Sequence, residues 1–224
     1  MSMPADVADA DHPQSLSASA IAYRAISEAI LKGVYPEGQF LDEASLARSV
    51  GTSRTPVREA LRRLHSERYV DLVPRRGAQV RVTTATEMHE IYETRLVIES
   101  AALVKICRQR RGAPSEAPSI LDAMAVAGAR SEWFEFARLD QRFHQSLVSH
   151  GGNGVLTELY SAMRPRHIRL SVRTITEAPH RREIIELEHS QIVDALDADD
   201  DKGAVRILNQ HLMSVPELMH AFPH

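Results

Sequence analysis

The chain has 224 residues, 43% apolar and 25% charged, which fits one large or two ordinary globular domains and excludes a collagen, a mucin-like stalk or a disordered polymer. No stretch approaches the roughly 20 apolar residues of a membrane helix, and residues 1–20 lack the basic-then-apolar plan of a signal peptide, so a cytoplasmic protein with no membrane partner is expected. Net charge is only −3, but nine arginines against three acids between Arg48 and Arg81 make a block of +6, the footprint of a nucleic-acid-binding module in an otherwise acidic chain.

In chain order, residues 1–17 are Ala, Asp, Ser and Pro without apolar periodicity and read as a mobile arm. Apolar residues at 21, 26, 30 and 31 predict a helix from Ile21 that Gly33 ends, followed by a turn at Tyr35-Pro36-Glu37-Gly38. A short helix over Glu43 to Val50 stops at Gly51. A third starts at a Ser53 or Thr55 cap, tolerates Pro56 in its first turn and carries the stripe Val57, Ala60, Leu61, Leu64. Extended runs at Val70–Val73 and Gln79–Val82 flank a hairpin tip at Pro74-Arg75-Arg76-Gly77. Beyond Thr83 no strand signal returns. Helices are predicted near 86–110, 116–128, 131–149, 154–176, 181–197 and 201–220, which together make an all-α antiparallel bundle. The expected organisation is therefore an arm over 1–17, a winged helix-turn-helix over 18–83 and a helical domain over 84–224, mainly α throughout. Cys107 cannot form an internal disulfide, and one thiol is too few for a thiolate metal cage; it reads as a small helix residue.

The third helix is apolar behind and cationic in front, because Arg54, Arg58 and Arg62 recur every four residues opposite the buried stripe. A short helix, a tight turn and then a basic helix is the helix-turn-helix plan, with the second helix entering the major groove of double-stranded DNA. Arginine pairs bidentately with guanine O6 and N7, while the Ser53 and Thr55 hydroxyls and the helix N-terminal amides hold phosphates. Arg48 belongs to the same basic block. Arg75, Arg76 and Gly77 would then form a wing, glycine letting the backbone approach the minor groove.

A second constellation lies in the helical half. Asp140 and His144 fall within the apolar face made by Phe136, Leu139, Phe143 and Leu147; His189 sits among Ile185, Ile192 and Leu196; His211 sits among Ala204, Leu208 and Val215. Burying a carboxylate and three imidazoles is costly unless something pairs them. Three neutral nitrogen donors and one hard oxygen from three helices suit a divalent transition metal: zinc first, with nickel, manganese or iron also fitting. The other eight histidines, His167 among them, lie near helix ends, on polar faces or in tails and receive no role. Arg95 and Glu99, one turn apart, read as an i, i+4 ion pair, and since Arg95 shares the Ile91/Ile98/Ala102 face it also reads as projecting inward. Arg169 and Arg173, one turn apart on a later helix, are expected at the surface, with an inward carboxylate-binding pair as the alternative.

The run from Leu46 to Leu64, with Arg75-Arg76-Gly77-Ala78-Gln79-Val80 after it, resembles the winged-helix signature of GntR-type bacterial transcription regulators. The resemblance implies DNA contacts by Ser53, Arg54, Thr55 and Arg58, with Gly77 in the wing. Arg68 departs from the family's usual glycine and must take a left-handed conformation or end the helix differently. The second half resembles the FCD ligand-binding domain of the FadR-like branch, in which Asp140, His144, His189 and His211 stand where metal-binding members carry their ligands. It further implies that Arg95 clamps a small carboxylate effector beside the metal, with Glu99 next to it. The function so implied is a homodimeric, ligand-responsive regulator on a pseudo-palindromic operator and not an enzyme. A purely structural metal and a metalloenzyme with Glu188 or Glu99 as base are the alternatives.

Overall fold

The computed structural model describes residues 16–213. Residues 1–15 of the arm expected over 1–17, and the end of the last predicted helix with Val215, lie outside the described residues; Ser17, within the expected arm, is the cap of the first helix. Among the described residues no helix is long and apolar enough to cross a membrane.

The N-terminal half begins with α1, Ala18–Leu31, whose first turn is capped by Ser17, the hydroxyl accepting from the Ala20 amide at 3.2 Å. The helix starts three residues before Ile21, and Ile21 itself is exposed; the inward stripe is Ala22, Ile26 and Ile30, one position out of phase with the expected start. Helix α2, Glu43–Val50, ends at left-handed Gly51, and α3, Arg54–Ser66, buries Val57, Ala60, Leu61 and Leu64 as expected. Ser53 occupies the cap position of α3, but its hydroxyl makes no capping bond and stays exposed. Arg68 takes the left-handed conformation that its departure from glycine demanded, with φ +61°.

Three short strands complete this half. A two-residue β1, Phe40–Leu41, has too little alternation to announce itself in the sequence; it pairs with β3, Gly77–Val80, which also pairs with β2, Val70–Val73, both antiparallel. Strand β3 therefore lies in the middle and starts two residues earlier than predicted, because Ala78 and Val80 supply the inward face. Gly77 is required by the sheet itself: at φ +90°, a Cβ there would sit 2.6 Å from the Leu41 carbonyl oxygen. The sheet thus sets a requirement for glycine here that is independent of the expected approach to DNA.

The helical half comprises α4 (Ala85–Arg108), α5 (Ala117–Ala129), α6 (Trp133–His150), α7 (Gly154–Glu177), a 3₁₀ turn at Pro179–Arg181, α8 (Arg182–Asp197) and α9 (Asp201–Met213). Its core joins residues of all six helices, α4 to α9, with Met88, Phe143, Ile192 and Leu208 fully buried and Leu170 and Ile175 contributed by α7; Cys107 packs there as a small core residue. One α7 residue belongs elsewhere. Ile168 packs into the N-terminal core with Val57, Leu61 and Tyr69, so the two halves share a seam along α7.

Candidate nucleic-acid interface and metal centre

Helix α3 and the β2–β3 hairpin enclose an open cleft of about 570 Å³, lined by Arg54, Arg58 and Arg62 on one wall and Arg75, Arg76 and Gly77 on the other. All five arginines are exposed, as Ser53 and Thr55 are at the helix start. The face thus brings together nearly every residue the sequence nominated. Arg48 is separate: it stands exposed on α2, donating to Ser45 Oγ at 3.1 Å, and does not line the cleft. Glu43, which sequence reading missed, holds Arg58 through two bonds, Nε to Oε1 at 3.0 Å and Nη2 to Oε2 at 2.7 Å. The Arg76 guanidinium packs 4.1 Å over the Phe40 ring, which anchors the hairpin tip to β1.

The second site lies inside the bundle. Asp140 and His144, one turn apart on α6, meet His189 from α8 and His211 from α9. One ligand atom from each lies within 4.8 Å of all the others, and all four residues are buried. His189 Nε2 is 3.1 Å from His144 Nε2 and 3.3 Å from His211 Nε2, while Asp140 Oδ1 is 3.6 Å from the first ring nitrogen and 3.5 Å from His189 Nε2. Helical phase explains the convergence, because each residue replaces an apolar one in the inward stripe of its helix. Three imidazole nitrogens so close, with one carboxylate oxygen, satisfy each other poorly as hydrogen-bond partners and well as donors to one cation. The residues present therefore fit a divalent transition metal.

Behind these four stands a ring of polar groups. Glu99 Oε2 is 2.7 Å from His144 Nδ1, and Glu188 Oε2 is 2.9 Å from His211 Nδ1. Ser171 donates to Asp140 Oδ2 at 3.1 Å, and His167 Nε2 is 3.4 Å from the same oxygen. Burial pushes His211 down to about 3, His167 down to about 4 and His189 well below the usual imidazole value, so these rings are neutral near pH 7. For His144 burial acts the same way but is outweighed by the Glu99 carboxylate, which holds it above its ordinary value. Burial opposes ionisation of Asp140 as well, yet His144 and His167 keep its carboxyl well below the usual range.

Several expectations change here. His167 was given no role, yet it is buried beside Asp140; it lies seven residues after Tyr160 and seven before Thr174, both buried, so its phase along α7 was the available signal. Arg95 projects inward, 2% exposed, and forms the i, i+4 ion pair with Glu99, which is equally buried, so the pair lies in the core. Glu99 stands behind His144, accepting from Arg95 Nε at 2.8 Å and from the Tyr160 hydroxyl at 2.7 Å. Arg169 and Arg173 are not surface residues facing solvent. Arg169 is buried and donates to the Arg68 carbonyl at 3.1 Å, while Arg173 pairs with Glu37 at 3.2 Å, both reaching into the N-terminal half.

A cavity of about 30 Å³ adjoins the centre, lined among others by Tyr92, Arg95, Asp140, Ser171, Thr174 and His211. That is room for one or two waters. Arg95 is one of the cavity's lining residues, and the Arg95 Nη2 is buried without a hydrogen-bond partner among the described residues. Glu99 does not line this space.

Residues 90–214 match the FCD domain family and residues 18–80 the family of bacterial regulatory proteins described as gntR. An HTH-type transcriptional regulator from the TAR-I ttuE-ttuC' intergenic region of Agrobacterium vitis is 33% identical over 62% of this chain and 84% of its own length. The gluconate operon transcriptional repressor of Bacillus licheniformis is 29% identical over 83% of this chain and 78% of its own. Among solved structures, a GntR transcriptional regulator from a Rhodococcus species superposes with a TM-score of 0.77 at 24% identity, covering 92% of this chain and 99% of that one.

Proposed function

The chain belongs to the GntR family of bacterial regulatory proteins, a DNA-binding transcription regulator with an FCD domain, and from that premise we propose that a metal and a small organic acid control its grip on DNA. Its relatives are transcriptional regulators, repressors among them, which leaves the metalloenzyme alternative without support. Repression in the cytoplasm is the reading adopted here. Two copies reading a pseudo-palindromic operator fit a helix-turn-helix head, since two-fold protein symmetry mirrors the half-sites. In that reading Arg54, Arg58 and Arg62 address the major groove, Ser53 and Thr55 hold phosphates, and Arg75, Arg76 and Gly77 form the wing. Arg48, off the cleft, contributes charge to the neighbouring backbone.

The observation that carries the sensor is the convergence of Asp140, His144, His189 and His211 beside a cavity lined by Arg95, whose Nη2 is buried without a hydrogen-bond partner among the described residues. Those four would hold the ion, zinc first among zinc, nickel, manganese and iron. Once bound, the ion supplies a Lewis-acid anchor for carboxylate oxygens. Arg95 supplies a guanidinium to the same anion, and Tyr92, Ser171 and Thr174 bound it. Glu99 orients His144 in this reading and does not touch the effector. Helix α7 carries the signal: Ser171 bonds Asp140 on one face, while Arg169, Arg173 and Ile168 grip the head on the other.

The smallness of the cavity favours a second reading, a metal that only staples α6, α8 and α9 together. Elemental analysis of the purified chain, followed by thermal shifts of the zinc-loaded form against small carboxylic acids, separates the two. Near one metal per chain and a large shift with one acid support the sensor, and His189→Ala abolishes both. Metal without any shift supports the staple. No metal after reloading removes the site.

A further inference from the structure

The side chains behind the four donors are not arranged alike. Glu99, on α4, meets His144 Nδ1, and Glu188, on α8, meets His211 Nδ1, whereas His189 Nδ1 has no partner among the described residues. We propose that Glu99 and Glu188 are positioning residues that lock His144 and His211 in the tautomer whose Nε2 lone pair faces the shared point, leaving His189 as the adjustable ligand. This rests on the metal reading above and adds to it which groups preset the donors.

An ionised carboxylate only accepts hydrogen bonds, so a ring nitrogen 2.7 or 2.9 Å from it must carry the hydrogen. In a neutral imidazole the other nitrogen is then a bare lone pair. Glu99 is the firmer of the two locks, since Arg95 and Tyr160 also bind its carboxylate. Glu188 contacts His211 Nδ1 at 2.9 Å. The two preset lone pairs approach His189 Nε2 at 3.1 and 3.3 Å. Without a cation, the His189 ring can relieve only one of them by donating its own Nε2–H. To become a third donor it must move that hydrogen to Nδ1, which is buried with no acceptor beside it among the described residues, so this ring, unlike the other two, is not preset in the donor tautomer. Its ring keeps its place against Phe143, with centroids 4.4 Å apart. Outer partners of this kind orient ligands and raise their basicity, and their loss costs about 10–100-fold in metal affinity.

Glu188 is the residue to change, because removing Glu99 would strand the buried Arg95 and endanger the fold. In the full chain, Glu188→Met removes the acceptor at similar size, and Glu188→Gln keeps an amide oxygen that still accepts. Zinc affinity by chelator competition should fall about 10–100-fold in Glu188→Met and less in Glu188→Gln. Long-range proton–nitrogen spectra of the zinc-free wild type should show His144 and His211 protonated at Nδ1, with His211 losing that preference in Glu188→Met. Zinc affinity within about twofold of wild type in a folded Glu188→Met, or His211 protonated at Nε2 in the wild type, overturns the proposal. Failure of the wild type to take up zinc overturns the metal reading itself and this inference with it, and is distinguished by appearing before any substitution is made.

Discussion

At the scale of single residues, the same side-chain type takes different roles according to what surrounds it. Arg58 is solvent-exposed and tied to Glu43 by two bonds, an arrangement of little value to stability and of more use in aiming the guanidinium. Replacing it with alanine is expected to lower operator affinity about tenfold or more in a footprinting titration, with the melting of the helical half unchanged. Normal footprinting by Arg58→Ala would refute a base-reading role. Arg95 presents the same chemistry in the opposite setting: fully buried, it stays charged only because Glu99 and its neighbours compensate the burial. Glycine at 77 is decided by a single atom, the Leu41 carbonyl oxygen. Gly77→Ala meets it at 2.6 Å and also strains a positive φ, so the head should lose about 1–3 kcal/mol in denaturant melts, while the helical half keeps its own transition.

At the scale of elements, α7 lies with one face in the bundle and the other against the head. Ser171 and His167 address Asp140, whereas Arg169 reaches the carbonyl of left-handed Arg68 and lies 3.9 Å from Glu87, and Arg173 reaches Glu37. Glu37 in turn accepts from Thr83, at the joint between the two halves. A helix held at both faces can convert a small shift at one into reorientation at the other, and the coupling needed is modest, typically 1–3 kcal/mol. Arg169→Ala is expected to bind zinc and operator DNA with near-normal affinity but to lose most of the change in DNA affinity that metal loading causes. Full retention of that change, read in parallel titrations with and without zinc, would show that α7 does not carry it.

At the scale of the whole molecule, stability is tied to acid through the buried imidazoles. His211 and His167 bind protons only near pH 3 and 4 in the fold, against about 6.5 in the unfolded chain, and His189 shares their sign. Below pH 6.5 the unfolded state therefore binds more protons, and the metal-free fold loses stability as pH falls toward 4, by up to about 1.4 kcal/mol per pH unit for each such ring. His144, raised by Glu99, acts in the opposite sense and offsets part of this. Metal-free protein should thus melt lower at pH 5 than at pH 6.5. A chelator should lower the melting temperature of the loaded protein at pH 7, and the two melting curves should converge in acid, where protons displace the ion. An unchanged melting temperature on chelation at pH 7 would contradict a metal held in the core.

Much of this architecture was legible in the residues. Amphipathic period, caps and glycine stops are local, so α2 was placed to the residue and the bundle helices to within a few, and the metal quartet stood out because four polar residues broke the apolar stripes of three helices. Departures arose wherever a partner distant in the chain made the decision. Strand β1 exists because β3 offers it an edge, Gly77 is glycine because Leu41 passes beside it, and His167, Arg169 and Glu99 are buried because other helices cover them. Periodicity tells which face of a helix turns inward, but not what waits there. By itself the sequence determined the two-part organisation, the basic recognition helix and the inward quartet, all written in local pattern. Only the tertiary structure decided which carboxylates stand behind His144 and His211, how little space adjoins the centre and that α7 joins the two halves, because these depend on the packing of segments far apart in the chain.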